Sequence, residues 1–470
     1  MGNQAEMIRG FSTEVSPLVA ELLRSDTRKL TPALLASGSC PVSERPVPFD
    51  RYHTPEFAKL EKDHLWMKTW QFACREEDIP EVGDRVPYSV GSLSFFVVRS
   101  STNEFRAFYN ACLHRGTRLC DGLSSGEHVR CPFHAWQWKL DGELDSVPSA
   151  WDFPHVDKDS YRLPEVKVGC WGGFIFINPD LDAEPLEKAL GVLPEHFASW
   201  APEAHYTVLH VRKLVRANWK ATMEAFLEAY HVIETHSDAL PFTGDASTQY
   251  DIWDDGSAHI SRLYTPLGVP SPHLGDQASI QEATDWTFRA FSMGMDPSIP
   301  VPSFDPTHEH SGRAQIAEWR RQMFSAATGQ DFSDWPDAYF VDTIQYFMFP
   351  NFCPWLGEGL PLVYQFLPNG ENPSEAQMSI RLLAPVPKDA QRPPSAPIID
   401  IDFDADFSSV PEFGVLSHIF DQDMVNLPKI QLGLRAAAQA HQQAALGRYQ
   451  ESRIRHFHDV LEQTLGLSQA

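Results

Sequence analysis

Two short segments hold residues that could bind metal: Cys112 and His114 in "CLHRG", and Cys131 and His134 in "CPFHAW". Each offers one thiolate and one imidazole, in C-x-H and C-x-x-H spacing. That donor set suits a tetrahedral zinc, or a [2Fe-2S] cluster in which two His replace two Cys on one iron. In the cluster the ligands divide as Cys112 with Cys131 and His114 with His134. Neutral imidazoles in place of charged thiolates raise the potential, so such a centre relays single electrons and has no open position for substrate. Cys120, between the segments, and Cys40, Cys74, Cys170 and Cys353 read as small buried hydrophobes.

A second constellation lies in "MEAFLEAYHVIETH", residues 223–236. Glu224, Glu228 and His231 share one side of a helix at i, i+4 and i+7, while Met223, Phe226, Leu227 and Tyr230 make an apolar side. His231 and His236 are five positions apart, roughly 140° around a regular helix. They can reach one ion only if the helix is distorted near residue 231 or stops before 236. Taken alone, Glu and His at helical spacing more often form a solvated face. With a carboxylate from elsewhere, however, two His make the open donor set of O₂-activating non-haem Fe(II). The candidate carboxylates are Asp342, Glu358, Asp421 and Asp423.

Residues 1–47 read as a polar arm with one helix in "PLVAELLRS". Thr54 and Pro55 start a helix with an apolar stripe of Phe57, Leu60, Leu65 and Trp70. From about residue 80 to 180, "LSFFVVRS", "EFRAFYNA", a hairpin at Asp141-Gly142 and "GGFIFINPD" predict a small all-β domain. The strand-like "HYTVLHVRKLV" leads into the His-bearing helix, and a long irregular region, about 240–312, follows as a candidate lid. Two strands are predicted around Asn369-Gly370, then a Pro-rich connector and an Ala-rich helical tail after residue 428. With "MEAFL" and "YFMFPNFCPW", the irregular region could furnish an apolar pocket, although plain core packing explains most aromatics. The expected class is α+β, a small all-β domain plus a larger α+β domain with an antiparallel sheet.

The 470-residue chain is 43% hydrophobic and carries 63 acidic against 38 basic residues, a formal charge of -25. That balance argues against nucleic-acid or anionic-membrane partners. No apolar stretch approaches the ~20 residues that span a bilayer. With no apolar leader and seven scattered cysteines, the expected location is cytoplasmic. No Gly-rich dinucleotide or phosphate loop follows a strand.

Together, "NACLHRG", "CPFHAW", "NWKATMEAFLEAYHVIETH" and, more loosely, "FDQDMVNLPKIQLGL" resemble the large (alpha) subunit of the Rieske non-haem iron oxygenases. These are the aromatic ring-hydroxylating dioxygenases and their monooxygenase and demethylase relatives. The likeness covers roughly residues 48–440. It implies a Rieske [2Fe-2S] domain at 48–185, with Cys112, His114, Cys131 and His134 as ligands, and a helix-grip-like catalytic domain at 186–470. His231, His236 and Asp423 become the ligands of the mononuclear iron, with Asp421 as the rival third ligand. Asn218 is expected near the iron, and Tyr230 precedes the first ligand as in relatives. Two positions depart from the common pattern: Ala225 replaces an Asn, and Glu228 replaces the Asp that bridges electrons between neighbouring subunits. Glu can accept the same hydrogen bonds, and a branch oxidising quaternary amines carries Glu there.

The resemblance implies a terminal oxygenase using O₂ and electrons from a separate NAD(P)H-linked reductase or ferredoxin. Its expected substrate is a hydrophobic aromatic or alicyclic compound, as in aromatic hydrocarbon catabolism. An oxidative demethylase or quaternary-amine monooxygenase is the alternative; an electron carrier or structural zinc protein is the alternative of another class. A homotrimer is implied by the bridge, with or without a small beta subunit.

Overall fold

A computed structural model describes residues 17–292 and 301–467. β-Branched and aromatic runs form strands β1 (Gln71–Arg75), β2 (Arg85–Val90), β3 (Leu93–Ser101) and β4 (Glu104–Tyr109). Three short strands follow, β5 (Val129–Arg130), β6 (Gln137–Trp138) and β7 (Leu144–Ser146), then β8 (Glu165–Trp171) and β9 (Phe174–Asn178). The long strands pair antiparallel in the order β1-β9-β8-β4-β3-β2, and β5-β6-β7 form a separate small sheet. Turns fall at Thr102-Asn103 and Asp141-Gly142 as expected. Phe96, Phe108, Val129, Trp136 and Trp138 pack around Cys112 and Cys131, so the small sheet has its own core beneath the metal-binding loops.

The larger sheet comprises β10 (His205–Val215), β11 (Gln249–Asp254), β12 (His259–Thr265), β13 (Thr343–Met348), β14 (Phe352–Pro354), β15 (Leu362–Pro368), β16 (Ala376–Pro385) and β17 (Ile398–Ile401). Their order is β11-β12-β13-β14-β15-β16-β10-β17, antiparallel except for the β10–β17 edge pair. Phe72, Phe174 and Phe176 of the first sheet pack on Phe352 and Val363 of the second, in one buried cluster.

Around the sheets lie helices α1 (Pro17–Arg24), α2 (Pro55–Leu60), α3 (Trp219–Glu224), α4 (Val232–Thr235), α5 (Ile280–Ser292), α6 (Gly312–Thr328), α7 (Val415–Gln439) and α8 (Ser452–Thr464). The part of the arm before Pro17 lies outside the described residues. Its remainder is pinned to the large sheet's periphery: Thr27 N–H and hydroxyl donate to Asp337, and Arg262 donates to the carbonyl of Ala36. Among the described residues no helix is long and apolar enough to cross a membrane.

Three expectations need correction. The region 240–312 is not irregular throughout: it contains β11, β12 and α5, while 293–300 lies outside the described residues. Its short strands are masked in sequence by Asp, Ser and His, which here take cross-strand and inter-element partners. Arg262 on β12, for example, is buried against Asp251 on β11 at 2.6 Å.

The last helices also differ. α7 begins at Val415 and runs through Pro428, although proline cannot donate to the preceding turn. What carries the helix past this break is a buried stripe of Phe420, Asp423, Leu427, Gln431, Leu434 and Ala438 at three- and four-residue spacing. Finally, the cysteines are not uniformly buried: Cys170 is exposed and Cys40 half-buried. Cys170 lies on β8, of whose residues only Val166 is buried.

α2 continues as a wider turn, Glu61–Trp66, that buries Glu61 under α3. There Glu61 accepts from Lys220 Nζ at 2.5 Å and from Trp219 Nε1 at 3.2 Å, with both charged side chains almost fully buried. Burial pushes the Lys220 ammonium below its usual range despite this partner. Glu61→Gln is expected to cost about 3–5 kcal/mol by leaving a buried unpaired cation, read as a lowered midpoint in urea unfolding.

Candidate metal centres

The first loop, between β4 and β5, carries Cys112 and His114; the second, between β5 and β6, carries Cys131 and His134. Both close with the same turn. Gly116 N–H donates to Cys112 O at 2.9 Å, and Ala135 N–H donates to Cys131 O at 3.1 Å. Both closing residues are left-handed, Gly116 at φ +78 and Ala135 at φ +60. For alanine that conformation is strained, and sequence shows no sign of it. Asn110 ties the first loop down, accepting from Leu119 and Cys120 N–H and donating to Cys120 O.

The two thiols are buried side by side. Burial pushes Cys112 up; at Cys131 it acts the same way but is outweighed by the backbone N–H groups of His134 and Phe133, which lower it. The imidazoles stand 4.7 Å apart at 70°, and His114 stacks on Trp136. Desolvation and neighbouring His134 and Arg115 lower the His114 pKa, the direction that favours a neutral, metal-binding imidazole.

Nδ1 of His114 and Nδ1 of His134 are buried without hydrogen-bond partners. A buried lone pair lacking a donor is costly, and a metal would satisfy it. Among the described residues, only two sets of three or more His, Cys, Asp or Glu bring their ligand atoms within 4.8 Å of one another, and neither includes this quartet. Ligands gathered on one zinc would form such a set, whereas ligands split over two irons need not. The donors therefore fit the cluster better than zinc.

The second constellation is not one helix. α3 ends at Glu224, residues 225–231 are non-helical, and a single turn, α4, separates His231 from His236. The break thus falls before His231 as well as at His236, whose backbone (φ -119, ψ 44) leaves the helix. Consequently Glu224, Glu228 and His231 do not share a continuous helical face.

Freed from that geometry, the imidazoles converge with a carboxylate from α7. Asp423 Oδ1 lies 3.2 Å from His236 Nε2 and 3.6 Å from His231 Nε2, the rings being 5.0 Å apart. Atoms ligating one ion at about 2.1 Å stand about 3.0–3.6 Å apart, so this set fits a mononuclear centre. The other set, Asp254, His259 and His456, does not: both imidazoles contact the same oxygen, Asp254 Oδ2, at 2.8 and 2.7 Å. Those are hydrogen-bond lengths, and Asp254 acts as a tie between β12 and α8.

The rival carboxylates are occupied. Asp421 accepts from the N–H groups of Phe407 and Ser408. Asp342 is paired with Arg313 and accepts from Tyr264 and Leu267; Glu358 accepts from Trp200 and His205.

Behind the triad, Glu228 accepts from His231 Nδ1 at 2.7 Å and from His231 N–H at 3.0 Å, and Gln422 Oε1 accepts from His236 Nδ1 at 2.8 Å. Burial disfavours a charged His231, but Glu228 and Asp423 outweigh it and raise its pKa. Both partners leave Nε2 facing Asp423. Gln422→Leu is expected to weaken iron binding about 10- to 100-fold, measured by competition with a ferrous chelator. Sequence reasoning missed Gln422, whose only signal was its place beside Asp423.

Two further residues expected at the site, Asn218 and Tyr230, sit at a helix start and on the surface. Asn218 caps α3: its Oδ1 accepts from Lys220 N–H, and its Nδ2 donates to Pro373 O. A helix N-terminus needs such an acceptor, which accounts for an Asn at this position. Tyr230 is 51% exposed. The segments "MEAFL" and 346–355 mainly build core, with Met223, Leu227, Tyr346 and Phe352 buried.

His231, Glu228 and Asp423 border a cavity of about 200 Å³ whose other walls include Glu224, Glu451 and Tyr52. No Lys or Arg lines it among the described residues. Glu451 is pushed up by burial and by the charges of Glu228 and Glu224. Near Asp423 there is also an aromatic group: Tyr364, raised by burial and then by Asp423's charge, neighbours Phe226 and Phe420 at 5.4 and 6.1 Å.

Paired Cys/His loops on an all-β unit, coupled to a two-His, one-carboxylate group beneath a large antiparallel sheet, define a two-centre Rieske-type oxygenase architecture. Residues 69–157 match the Rieske [2Fe-2S] domain, and residues 196–466 match the ring hydroxylating alpha subunit (catalytic domain). The chain belongs to this family of Rieske-domain-containing oxygenase large subunits.

It is 33% identical over 248 residues to the carnitine monooxygenase oxygenase subunit of Escherichia coli (strain K12), a match covering 51% of this chain and 63% of that protein. It is also 33% identical over 195 residues to the anthranilate 1,2-dioxygenase large subunit of Acinetobacter baylyi, covering 40% and 41%. The crystal structure of the quaternary ammonium Rieske monooxygenase CntA with L-carnitine shares the fold, with TM-score 0.60 at 16% identity over 89% of this chain and 95% of that one. The chain thus spans less than two thirds of the length of these curated relatives.

Proposed function

We propose that the chain is the terminal oxygenase component of a multi-part system, oxidising a small quaternary or related amine with O₂ and electrons from a separate reductase or ferredoxin. In this reading Cys112, His114, Cys131 and His134 hold the cluster, and His231, His236 and Asp423 hold a non-haem Fe(II). When bound, that iron supplies O₂ activation at its open positions. Glu228 and Gln422 fix the two imidazoles, while the buried surroundings keep water from the reacting centre. Glu228 also serves as the bridge for electrons arriving from a neighbouring copy, in a homotrimer.

The observation that carries the amine reading is the charge around the triad: three Glu side chains and, among the described residues, no Lys or Arg on the adjoining cavity. Such surroundings favour a cation and disfavour an aromatic carboxylate. Aromatic faces beside Asp423 suit an onium group as well. Glu228, and the match to a carnitine monooxygenase subunit, point the same way. A second reading, hydroxylation of a neutral aromatic compound, rests on those same aromatic faces and on the anthranilate dioxygenase relative.

The deciding experiment supplies a generic reductase and ¹⁸O₂, with carnitine-like and choline-like amines, neutral aromatics and methoxylated compounds, and follows labelled product by mass spectrometry. Labelled oxygen in aromatic products alone would overturn the amine reading. Metal analysis comes first. About three irons and two acid-labile sulfides per chain fit an oxygenase, two irons an electron carrier, and one zinc without sulfide a structural protein.

A further inference from the structure

The non-helical residues 225–231 leave backbone groups without the partners a helix would give them. Two of these groups flank Glu228 and are buried: the carbonyl of Leu227 and the N–H of Ala229. Each is met by a side chain from a distant element. Arg453 Nη1, on α8, donates to Leu227 O at 3.1 Å; the hydroxyl of Tyr250, on β11, accepts from Ala229 N–H at 3.0 Å.

Arg453 is unusual in its own right. It is fully buried, and among the described residues no carboxylate pairs with it. Its other acceptors are neutral, Ser261 Oγ at 3.0 Å and Gln345 Oε1 at 2.8 Å, and its Nη2 has no partner. Burial lowers its pKa to about 10. A guanidinium kept in such a place is expensive, and a neutral side chain could fill the same space. Tyr250 is likewise buried and lies within the field of Glu228, which together with burial holds its hydroxyl neutral.

We propose that Arg453 and Tyr250 are positioning residues that clamp the backbone on both sides of Glu228, setting its carboxylate against His231 for electron transfer into the mononuclear site. Neither touches the metal ligands; each acts through one backbone group adjacent to Glu228. The inference rests on the reading of Glu228 as the bridge.

The test uses metal-loaded holoenzyme with its cluster chemically reduced. Stopped-flow absorbance follows cluster re-oxidation by O₂ for wild type, Tyr250→Phe, Arg453→Lys, Arg453→Gln and Glu228→Gln, each rate divided by bound mononuclear iron. Tyr250→Phe removes only the hydroxyl and is the variant least exposed to misfolding. The expected result is a fall of about 10-fold per bound iron in Tyr250→Phe and Arg453→Gln, towards the Glu228→Gln rate. Arg453→Lys, which keeps a donor, should recover part of the loss. The cluster spectrum and iron content stay at wild-type values.

Reduced iron content or melting temperature with an unchanged rate per bound iron would mean these residues only hold the fold, and the proposal fails. If Glu228→Gln itself re-oxidises at the wild-type rate, it is the bridge reading that fails. If Glu228→Gln is slow while Tyr250→Phe and Arg453→Gln are not, the clamp alone is refuted.

Discussion

His231→Ala should abolish product formation while leaving the visible spectrum of the cluster unchanged. The loss should exceed about 100-fold, because changes one step further from a metal already cost 10- to 100-fold. Among the described residues His231 Nε2 is one of three donors converging at this centre, and His236 and Asp423 cannot hold an ion as well without it. The Cys/His loops lie in a different sheet with their own core, so their spectrum should not change. Iron analysis should show about one iron lost per chain. Bleaching of the cluster instead would mean that the two centres have been assigned the wrong way round.

Glu228→Gln should keep both metals and slow electron delivery by about 100-fold. The glutamate side chain is only 10% exposed and makes two contacts to His231, one to the ring and one to the backbone. Glutamine can still accept from the ring, so the imidazole stays aimed at the iron. It lacks the charge that makes the imidazole electron-rich and that, in the bridge reading proposed above, lets this side chain accept strongly from a neighbouring copy. Single-turnover product yield is the readout; a normal yield would remove Glu228 from the path.

His205–Val215 was legible because one of its faces is buried and the other only partly so, and Leu93–Ser101 because Phe95, Phe96, Val97 and Val98 form a short β-prone run that is buried on both faces. The metal-binding loops were legible for a different reason: a thiolate and an imidazole so close together, twice over, have few uses besides holding metal. The interruption after Glu224 was not. Its residues have ordinary helix propensity, and only tertiary partners, Arg453 and Tyr250 among them, offer the backbone something better than continuing. Asp423 was legible only through family likeness, since nothing local separates it from Asp421. Three-dimensional placement separates them, because Asp421 accepts from the backbone at Phe407 while Asp423 turns into the core. Asn218 was ambiguous for the opposite reason: a helix cap and a catalytic amide look alike in sequence, and the structure shows the cap.

The pairing of early and late segments also dictates an order of assembly. Both cluster loops, and the strands that frame them, are complete once residue 178 has been made. The mononuclear site is not: His236 meets Gln422 across 186 residues, and Leu227 meets Arg453 across 226. On the ribosome, where domains form from the N-terminus onward, the cluster loops can fold and be loaded while the histidines of the proposed iron site still wait for α7 and α8. A chain truncated before α7 should therefore mature as a coloured protein that never acquires its second kind of iron centre.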